Sequence, residues 1–333
     1  MRLCLDREIL EEHAEALAHV APHAEYVALE PDGRWSGDPD TADVALLSIG
    51  LTQNPATAQE LPRMLGGRAL RWVQSGGAGF DAPIFTALLE RGVRLTNASG
   101  LHAEPIAQYI FTYILHWERS VAAHRKQQEA RSWRVIVSDD LRAKTLGIVG
   151  LGGIGLAAAR IGRAFGMRVI GLRRSAGPEP AVDHLYGPEG LSALLGESDY
   201  VVLALPLNEQ TRGTMGRVEF AAMRTGGVLV NVARGGVVQE AALIEALQNR
   251  QIRGATLDVT ETEPLPANSV LWTLENCVIT PHDAGYSPLG DQHLAALFLD
   301  NLGRYSREEP LRNEVAPPGA RSHLPTGHKS DVI

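Results

Sequence analysis

Three residues that could carry out acid–base chemistry on a carbonyl group each follow an apolar segment in the C-terminal half of the chain. Arg234 lies in VNVARGGVVQ, Glu263 in LDVTETEPL and His282 in VITPHDAG. Each apolar segment has the length and composition of a buried strand. Because ligands of open parallel sheets bind beyond the carboxyl ends of the strands, we expect the three side chains to face one site.

These residue types suit the reduction of a 2-keto acid, which needs a hydride at C2 and a proton at the carbonyl oxygen. His282 could donate that proton near neutral pH, and the Glu263 carboxylate could keep the imidazole charged and oriented. Arg234 could hold the substrate carboxylate and polarise the carbonyl oxygen. Taken singly, each residue has a structural alternative, such as a surface ion pair or a strand cap. Their joint occurrence at successive strand ends favours a shared site.

A scaffold of alternating strands and helices would position these residues. In the first part of the chain, strands are predicted at RLCL, YVAL, VALLSI, LRWVQ and VRLTN. From Lys144 on, they are predicted at TLGIVG, MRVIGL, YVVLALP, GVLVNVA, GATLDV and CVITPH. Six strands with crossover helices make a complete doubly wound dinucleotide domain. A single long helix is predicted over AEPIAQYIFTYILHWERSVAAHRKQQEA, in the core or at a subunit interface.

The segment VGLGGIG joins the first of these six strands to an alanine-rich helix and carries a G-x-G-x-x-G motif. Gly150 would permit the tight turn, Gly152 would let the backbone approach a pyrophosphate, and Gly155 would let the helix pack on the strand. The helix N-terminus would add free N–H groups. A glycine-rich connection without a ligand is the alternative, but the strand–loop–helix context favours a dinucleotide site.

The segment GLRRS at the end of the next strand decides which dinucleotide is expected. An acid usually binds the adenosine ribose at this position. Here Arg173 and Arg174 are followed by Ser175, and a guanidinium can pair with a 2′-phosphate through its planar fork. A solvated arginine pair on a surface loop is the alternative. The pattern predicts that NADP(H) is preferred over NAD(H).

A second glycine loop, VQSGGAGFD, follows a predicted strand in the N-terminal half. Gly76 and Gly77 are expected to expose backbone N–H groups that could hold an anion in a nest. The substrate carboxylate is the anion expected there, and the alternative is that the segment is simply a flexible loop.

Together these segments resemble the D-isomer-specific 2-hydroxyacid dehydrogenase family. GLGGIG, LPLNEQTRG, NVARG, LDVTETEP and ITPHDAG follow the family's motif order and spacing, and GGAGFD and TNASGLHAEPIAQY resemble its substrate loop and hinge. The resemblance extends to about residue 312. It implies an α/β fold with a Rossmann NAD(P)-binding domain at 101–283 and a discontinuous flavodoxin-like substrate domain at 1–100 and 284–312. The polar, Pro- and Gly-rich segment 313–333 is predicted to be a disordered tail.

By motif match, the resemblance implies roles for individual residues. Arg234 would bind substrate, and His282, supported by Glu263, would be the acid–base. Gly76 and Gly77 would lie near the substrate carboxylate. Cofactor contacts are implied for Gly150, Gly152, Gly153, Ile154, Gly155, Arg173, Arg174, Ser175, Leu205, Pro206, Thr211, Val232, Ala233, Asp258 and His282.

The resemblance also indicates which activity within the family to expect. Arg173, in place of the usual acid, points to glyoxylate/hydroxypyruvate reductases that use NADPH. The family is usually homodimeric through the long helix after the hinge. Thr260, Gln108 and Asp283 depart from the family pattern without removing a catalytic group. Phosphite dehydrogenases, which keep the same three residues, and non-catalytic nucleotide sensors remain alternatives. The complete catalytic set favours an enzyme.

The composition excludes several other classes. The 333 residues carry a formal net charge of -8, which argues against a nucleic-acid or polybasic membrane surface. No apolar run approaches the roughly 20 residues that span a bilayer. Cys4 and Cys277 show no pairing pattern and are expected to be buried, inert thiols, and no metal site is predicted. A reducing cytoplasm is the expected location.

Overall fold

The computed structural model describes residues 1–175 and 177–316 and divides the chain into two compact units. The first unit comprises Met1–Ser99 together with the described chain from Asp291 onward, and the second comprises Gly100–Gly290. Of the tail predicted at 313–333, residues 317–333 lie outside the described part.

The sheet of the first unit contains five parallel strands in the order β2-β1-β3-β4-β5, which is the flavodoxin-like order. The strands are β1 (Arg2–Asp6), β2 (Glu25–Leu29), β3 (Val44–Leu47), β4 (Trp72–Ser75) and β5 (Arg94–Thr96). The helices between them are α1 (Arg7–Glu12), α2 (Ala14–Val20), α3 (Ile49–Gln53), α4 (Pro55–Ala58), α5 (Leu61–Gly66) and α6 (Pro83–Glu90). All residues of β3 and β4 are buried, as the apolar runs in the sequence predict.

The C-terminal segment completes the first unit. Trp72 of β4 is fully buried, and its ring stacks on Phe298 at 5.5 Å and on Tyr305 at 5.3 Å between ring centroids. Phe298 lies in helix α13 (Pro288–Ser306). Beyond this helix, the Val315 N–H donates to the Leu95 carbonyl (2.8 Å). Residues 313–315, which were predicted to belong to a disordered tail, are therefore ordered against the end of β5. The prediction failed there because a single apolar residue docked on a strand is too short a signal for a periodicity argument.

The sheet of the second unit contains seven parallel strands in the order β12-β11-β10-β9-β6-β7-β8, which has the Rossmann arrangement. The strands are β6 (Thr145–Val149), β7 (Arg168–Leu172), β8 (His184–Tyr186), β9 (Tyr200–Leu203), β10 (Val228–Asn231), β11 (Gly254–Leu257) and β12 (Cys277–Ile279). The sequence predicted six of them. The seventh, β8, was missed because it has three residues, none of them fully buried.

Helices cover this sheet. They are α7 (Ala103–Glu118), α8 (Val121–Glu129), α9 (Gly153–Ala164), α10 (Leu191–Glu197), α11 (Arg217–Ala222) and α12 (Glu240–Gln248). The prediction of one long helix was wrong, because α7 and α8 are separate and Ser120 between them has a left-handed backbone (φ 51°). The buried stripe that includes Ile110 and Ile114 ends with α7, whereas α8 buries none of its side chains.

Two further expectations from the sequence concern the cysteines and membrane-spanning helices. Burial raises the pKa of the Cys4 and Cys277 thiols to about 12, so both stay protonated near neutral pH. Over residues 1–175 and 177–316, none of the helices combines the length and the apolar content needed to cross a membrane.

The stacking of Phe298 on Trp72 predicts a large contribution to stability. Phe298→Ala should lower the free energy of unfolding by about 3–5 kcal/mol, since it leaves a cavity against a fully buried indole. Phe80→Ala, at an exposed position of the same unit, should change it by about 0.5 kcal/mol or less. Urea denaturation followed by tryptophan fluorescence measures both variants, and equal losses would contradict the assignment of Phe298 to the core.

Candidate active site

The three chemistry-bearing residues follow three neighbouring strands. Parallel pairing aligns the ends of these strands, with Asn231 of β10 opposite Leu257 of β11, and Leu257 opposite Ile279 of β12. Arg234, Glu263 and His282 come shortly after these ends. The register therefore delivers the three residues to one edge of the sheet.

His282 and Glu263 are in direct contact. The imidazole Nδ1 lies 2.8 Å from Glu263 Oε2, and the two side chains are 45% and 38% exposed. Because an ionised carboxylate only accepts hydrogen bonds, Nδ1 carries the proton of this bond. The second carboxylate oxygen, Oε1, accepts the Thr260 N–H (3.0 Å). Glu263 is thus held by its own loop and orients the imidazole, so Nε2 is the ring nitrogen left to meet a substrate.

The electrostatics of this pair favour a protonated imidazole. The hydrogen bond to Glu263 raises the pKa of His282, against the opposing effects of burial and of the Arg234 charge. Burial acts to raise the pKa of Glu263, but the hydrogen bonds from His282 and from the Thr260 N–H outweigh it, and the net pKa is lowered. The pair is therefore suited to hold a proton that can be passed on.

The turn that carries His282 is anchored by Asp258. His282 has a left-handed backbone (φ 57°), an uncommon conformation for a residue with a side chain. The next two residues donate their N–H groups to the Asp258 carboxylate, Asp283 at 3.0 Å and Ala284 at 3.2 Å. Burial raises the pKa of Asp258, and the hydrogen bonds that it accepts oppose this shift. Asp258 thus fixes the backbone turn that carries the His282 side chain.

Thr280 and Tyr109 complete this support and were missed by sequence reasoning. The Thr280 hydroxyl donates to Asp258 Oδ1 (2.7 Å). With its only proton used, Thr280 accepts from the Tyr109 hydroxyl, 2.6 Å away on α7. The threonine of the ITPH motif was the available signal, whereas nothing in the sequence connects Tyr109 to this turn.

Arg234 has an extended backbone (φ −146°) in the loop that follows β10. Asn231 fixes this stretch, since its Oδ1 accepts the Ala233 N–H (3.1 Å) and its Nδ2 donates to the Arg234 carbonyl (3.3 Å). The guanidinium Nη1 donates to the Ala233 carbonyl (2.7 Å). Its charge acts on both His282 and Glu263, as the pKa shifts of those residues record.

The loops after β10 and β11 touch at Gly235. A Cβ at this position would lie 1.8 Å from the Thr260 carbonyl oxygen, which no side chain can accommodate. Thr260 is also the residue whose N–H holds Glu263. The glycine that follows Arg234 therefore sets the spacing between the arginine loop and the glutamate loop.

The glycine loop before α9 has the shape that a dinucleotide requires. Gly150 has a positive φ of 103°, and a Cβ there would lie 2.5 Å from the Ala204 carbonyl oxygen. A Cβ at Gly155 would lie 2.1 Å from the Gly150 carbonyl oxygen. At Gly152 a Cβ would meet no protein atom within 4 Å. A side chain there would occupy only the outer space of the loop, so glycine keeps that space open for a phosphate.

The start of α9 supplies the donors. Its N-cap, Gly152, makes no side-chain capping bond, and Gly153 is exposed whereas Ile154 is half-buried. First-turn N–H groups with no side-chain cap suit a pyrophosphate. The remaining predicted cofactor residues lie on the loops after β9 and β10, and they are Leu205, Pro206, Thr211, Val232 and Ala233. Together these residues fit a dinucleotide.

Arg173 lies directly after β7, and its guanidinium makes three contacts within its own loop. Its Nη1 pairs with Glu179 Oε2 (3.0 Å), its Nε donates to the Ser175 carbonyl (3.1 Å) and its Nη2 to the Gly177 carbonyl (3.1 Å). Arg174 Nη1 instead donates to the amide oxygen of Gln210 (3.2 Å). Sequence reasoning missed Glu179 because it follows the strand end by several loop residues.

Gly76 and Gly77 belong to the first unit, at the end of β4. The Gly76 N–H donates to the Leu47 carbonyl (2.7 Å), and a Cβ there would lie 2.6 Å from the same oxygen. The expectation that both glycines expose free N–H groups is therefore wrong, because close strand packing uses the Gly76 amide and a local side chain accepts the Gly77 N–H. The Gly77 N–H donates to the Ser75 hydroxyl (3.2 Å), and Gly77 is exposed.

Comparison with known proteins identifies the family. The model of the NAD-binding domain of D-isomer specific 2-hydroxyacid dehydrogenases matches residues 111–284. Glyoxylate/hydroxypyruvate reductase B of Yersinia pestis (strain Pestoides F) is 35% identical over 240 residues, which cover 70% of this chain and 73% of that protein.

Solved structures agree over most of the chain. A D-isomer specific 2-hydroxyacid dehydrogenase family protein from Aeromonas salmonicida superposes with a TM-score of 0.81 at 30% identity, over 95% of this chain and 98% of that one. The NADPH-dependent glyoxylate/hydroxypyruvate reductase from Sinorhizobium meliloti, in complex with NADP and sulfate, gives a TM-score of 0.77 at 30% identity, over 94% and 98%. A 2-hydroxyacid dehydrogenase from Xanthobacter autotrophicus Py2, in complex with NADPH and MES, gives 0.77 at 30% identity, over 95% and 98%. The chain thus belongs to the D-isomer specific 2-hydroxyacid dehydrogenase family and is an NAD(P)-dependent oxidoreductase.

Proposed function

We propose that the protein reduces a small 2-keto acid, glyoxylate or hydroxypyruvate, to the D-2-hydroxy acid, with NADPH preferred over NADH. The observation that carries this proposal is the 2.8 Å contact between His282 and Glu263, which lie in the loops that follow β12 and β11 of the Rossmann-type sheet. The names of the relatives from Yersinia pestis and Sinorhizobium meliloti support the choice of substrate.

The side chains divide the work of reduction. A reduced nicotinamide dinucleotide, held by the glycine loop at residues 150–155, would supply the hydride for the substrate C2. His282 gives its Nε2 proton to the carbonyl oxygen, since Nδ1 is held by Glu263. Glu263 stabilises the imidazolium before transfer and so sets its pKa. Arg234 binds the substrate carboxylate and stabilises charge that develops on the oxygen. Gly77 lines the substrate loop, and Gly76 lets that loop pack closely on β3.

The cofactor preference rests on the loop after β7. Arg173, Arg174 and Ser175 replace the acid that would repel a 2′-phosphate. The structures from Xanthobacter autotrophicus Py2 and Sinorhizobium meliloti, which were solved with NADPH and NADP, support this assignment. Asp258 acts beside the nicotinamide site by holding the His282 turn.

We further propose that the protein forms a homodimer through the region that follows α7. After α8 the chain runs without regular structure through residues 132–140. Trp133, Val135 and Val137 in this segment are 101%, 88% and 91% exposed. Three apolar side chains in alternation are unfavourable in water, and a second copy of the chain would cover them.

A spectrophotometric comparison tests the proposed reaction. Oxidation of NADPH and NADH is followed side by side with glyoxylate, hydroxypyruvate, pyruvate and phenylpyruvate. The expected result is faster oxidation of NADPH, with glyoxylate or hydroxypyruvate as the best acceptor. His282→Asn should lower kcat about 10²–10⁴-fold, because the proton donor is lost.

The matched control for this experiment is His184→Asn. His184 is exposed on β8, on the opposite edge of the same sheet, and its replacement should leave kcat unchanged. A protein that binds NADPH but oxidises it with none of the four acids would contradict the proposal. NAD(P)+ reduction by phosphite would then assign the site to phosphite oxidation.

The contact with Glu263 predicts the pH dependence of the reaction. Only a protonated imidazole can donate, so the reduction rate should be highest below the pKa of His282 and should fall as pH rises through it. Glu263→Gln removes the charge that raises this pKa, so the fall should move to lower pH. NMR titration of the histidine in the free enzyme measures the same shift without turnover.

Glu261→Gln is the control for this shift, since Glu261 is an exposed acid of the same loop, whereas the partner of His282 Nδ1 is Glu263. It should leave both the NMR titration and the pH–rate profile in place. An unmoved His282 titration in Glu263→Gln would show that the contact does not set the proton affinity.

The exposed segment predicts the oligomeric state. Trp133→Asp should convert a dimer into a monomer, because it places a charge where an apolar contact is expected. Trp272→Asp, at another exposed tryptophan, serves as the control and should remain dimeric. Sedimentation velocity distinguishes the two states, and a wild-type protein that sediments as a monomer would refute the proposal.

A further inference from the structure

The guanidinium of Arg173 is already occupied by its own loop. Three of its donors, on Nε, Nη1 and Nη2, contact Ser175, Glu179 and Gly177 at 3.0–3.1 Å. A guanidinium has five N–H donors in a planar fork, so this loop uses more than half of them. A 2′-phosphate that reaches Arg173 must therefore share the fork with Glu179 or displace it.

Glu179 is held in place as a counter-ion. Its Oε2 accepts from Arg173, and its Oε1 accepts the Ala181 N–H (3.2 Å). The two side chains of the ion pair are only 22% and 15% exposed, so water screens them less than a surface pair. The backbone bond keeps the carboxylate near the guanidinium independently of the arginine.

The two arginines after β7 are thus unequal. The charge of Arg173 is compensated at 3.0 Å by a carboxylate, whereas the contact of Arg174 is to the neutral amide of Gln210. A phosphate bound to the Arg173 fork would also lie close to the Glu179 carboxylate, and like charges at such a distance repel.

From this geometry we infer that Glu179 is a specificity-determining residue that weakens the discrimination between NADP and NAD. It competes with the 2′-phosphate for Arg173 and lowers the electrostatic gain from binding that group. The inference rests on the proposed function, because it assumes that Arg173 faces the 2′-phosphate. According to this inference, the preference for NADPH over NADH is weaker than Arg173 and Arg174 would give without Glu179.

Calorimetric titration of the full-length protein with two adenosine fragments tests this inference without catalysis. Adenosine 2′,5′-bisphosphate carries the 2′-phosphate and 5′-AMP lacks it, so the ratio of their affinities reports recognition of that group. Glu179→Gln keeps the size and the Ala181 contact but removes the charge. It should raise the ratio about tenfold, with 5′-AMP affinity unchanged. The gain should shrink as salt is added.

Two further variants separate this inference from the proposed function. Arg173→Gln should lower the ratio, and Glu179→Gln should raise the ratio less in the Arg173→Gln background than in the wild type, because only the direct repulsion is then left to remove. If Arg173→Gln leaves the ratio unchanged, the assignment of Arg173 to the 2′-phosphate fails, and the role of Glu179 fails with it. If Arg173→Gln lowers the ratio but Glu179→Gln does not raise it, only the inference about Glu179 is overturned.

Glu245→Gln is the matched control for net charge. Glu245 pairs with Arg217 (2.7 Å) on the helices α11 and α12 of the same unit, so its replacement removes one charge from the domain without touching the β7 loop. The ratio should stay at the wild-type value. If Glu179→Gln lowers the affinity for 5′-AMP, which lacks the 2′-phosphate, then Glu179 acts by holding the loop together. That result would also overturn the inference.

Discussion

The parallel register of β10, β11 and β12 is the constraint on which the candidate active site depends. Each strand is three or four residues long, and its partner residues lie directly opposite. A slip of one residue in any pairing would reverse the faces of that strand and displace the loop that follows. Arg234, Glu263 and His282 come together because the strands end in line, although they are far apart in sequence.

Local contacts then refine what the register provides. The close packing of Gly235 on the Thr260 carbonyl sets the distance between the loop after β10 and the loop after β11. The hydrogen bond from the Thr260 N–H orients the Glu263 carboxylate, whose other oxygen contacts the histidine. Asp258 holds the turn after β12 through backbone donors. Its carboxylate is buried, which is unfavourable for a charge, and the N–H and hydroxyl donors compensate. Thr260 and Asp258, which are not among the three predicted catalytic residues, therefore help to determine where the imidazole and its carboxylate partner lie.

The sequence allowed much of this arrangement to be predicted. The alternation of apolar runs and helices indicated both sheets, and the glycine motif indicated the dinucleotide loop because each glycine has its own steric reason. Glu263 and His282 were expected to be neighbours from their places after adjacent strands, and the structure puts them in contact. Their roles in catalysis stay predictions.

The features that were missed have no periodic signal. β8 is too short, and the break at Ser120 depends on one backbone angle. The use of the Gly76 N–H by Leu47 and the pairing of Arg173 with Glu179 are tertiary contacts of single residues. Sequence patterns report which face of an element is buried, but they do not report which donor a loop has already used.

The two-part composition of the first unit has a consequence for biosynthesis. The strands of its sheet leave the ribosome first, but Phe298, which covers Trp72, follows only after the whole of Gly100–Gly290. At about 5–20 residues per second, that insertion takes on the order of 10–40 s to translate. During this time the indole lacks its cover, whereas the second unit is continuous in sequence and can fold as it emerges. The first unit can therefore be completed only after the second unit has been synthesised, and until then its nascent sheet exposes the apolar face that Phe298 covers in the folded protein.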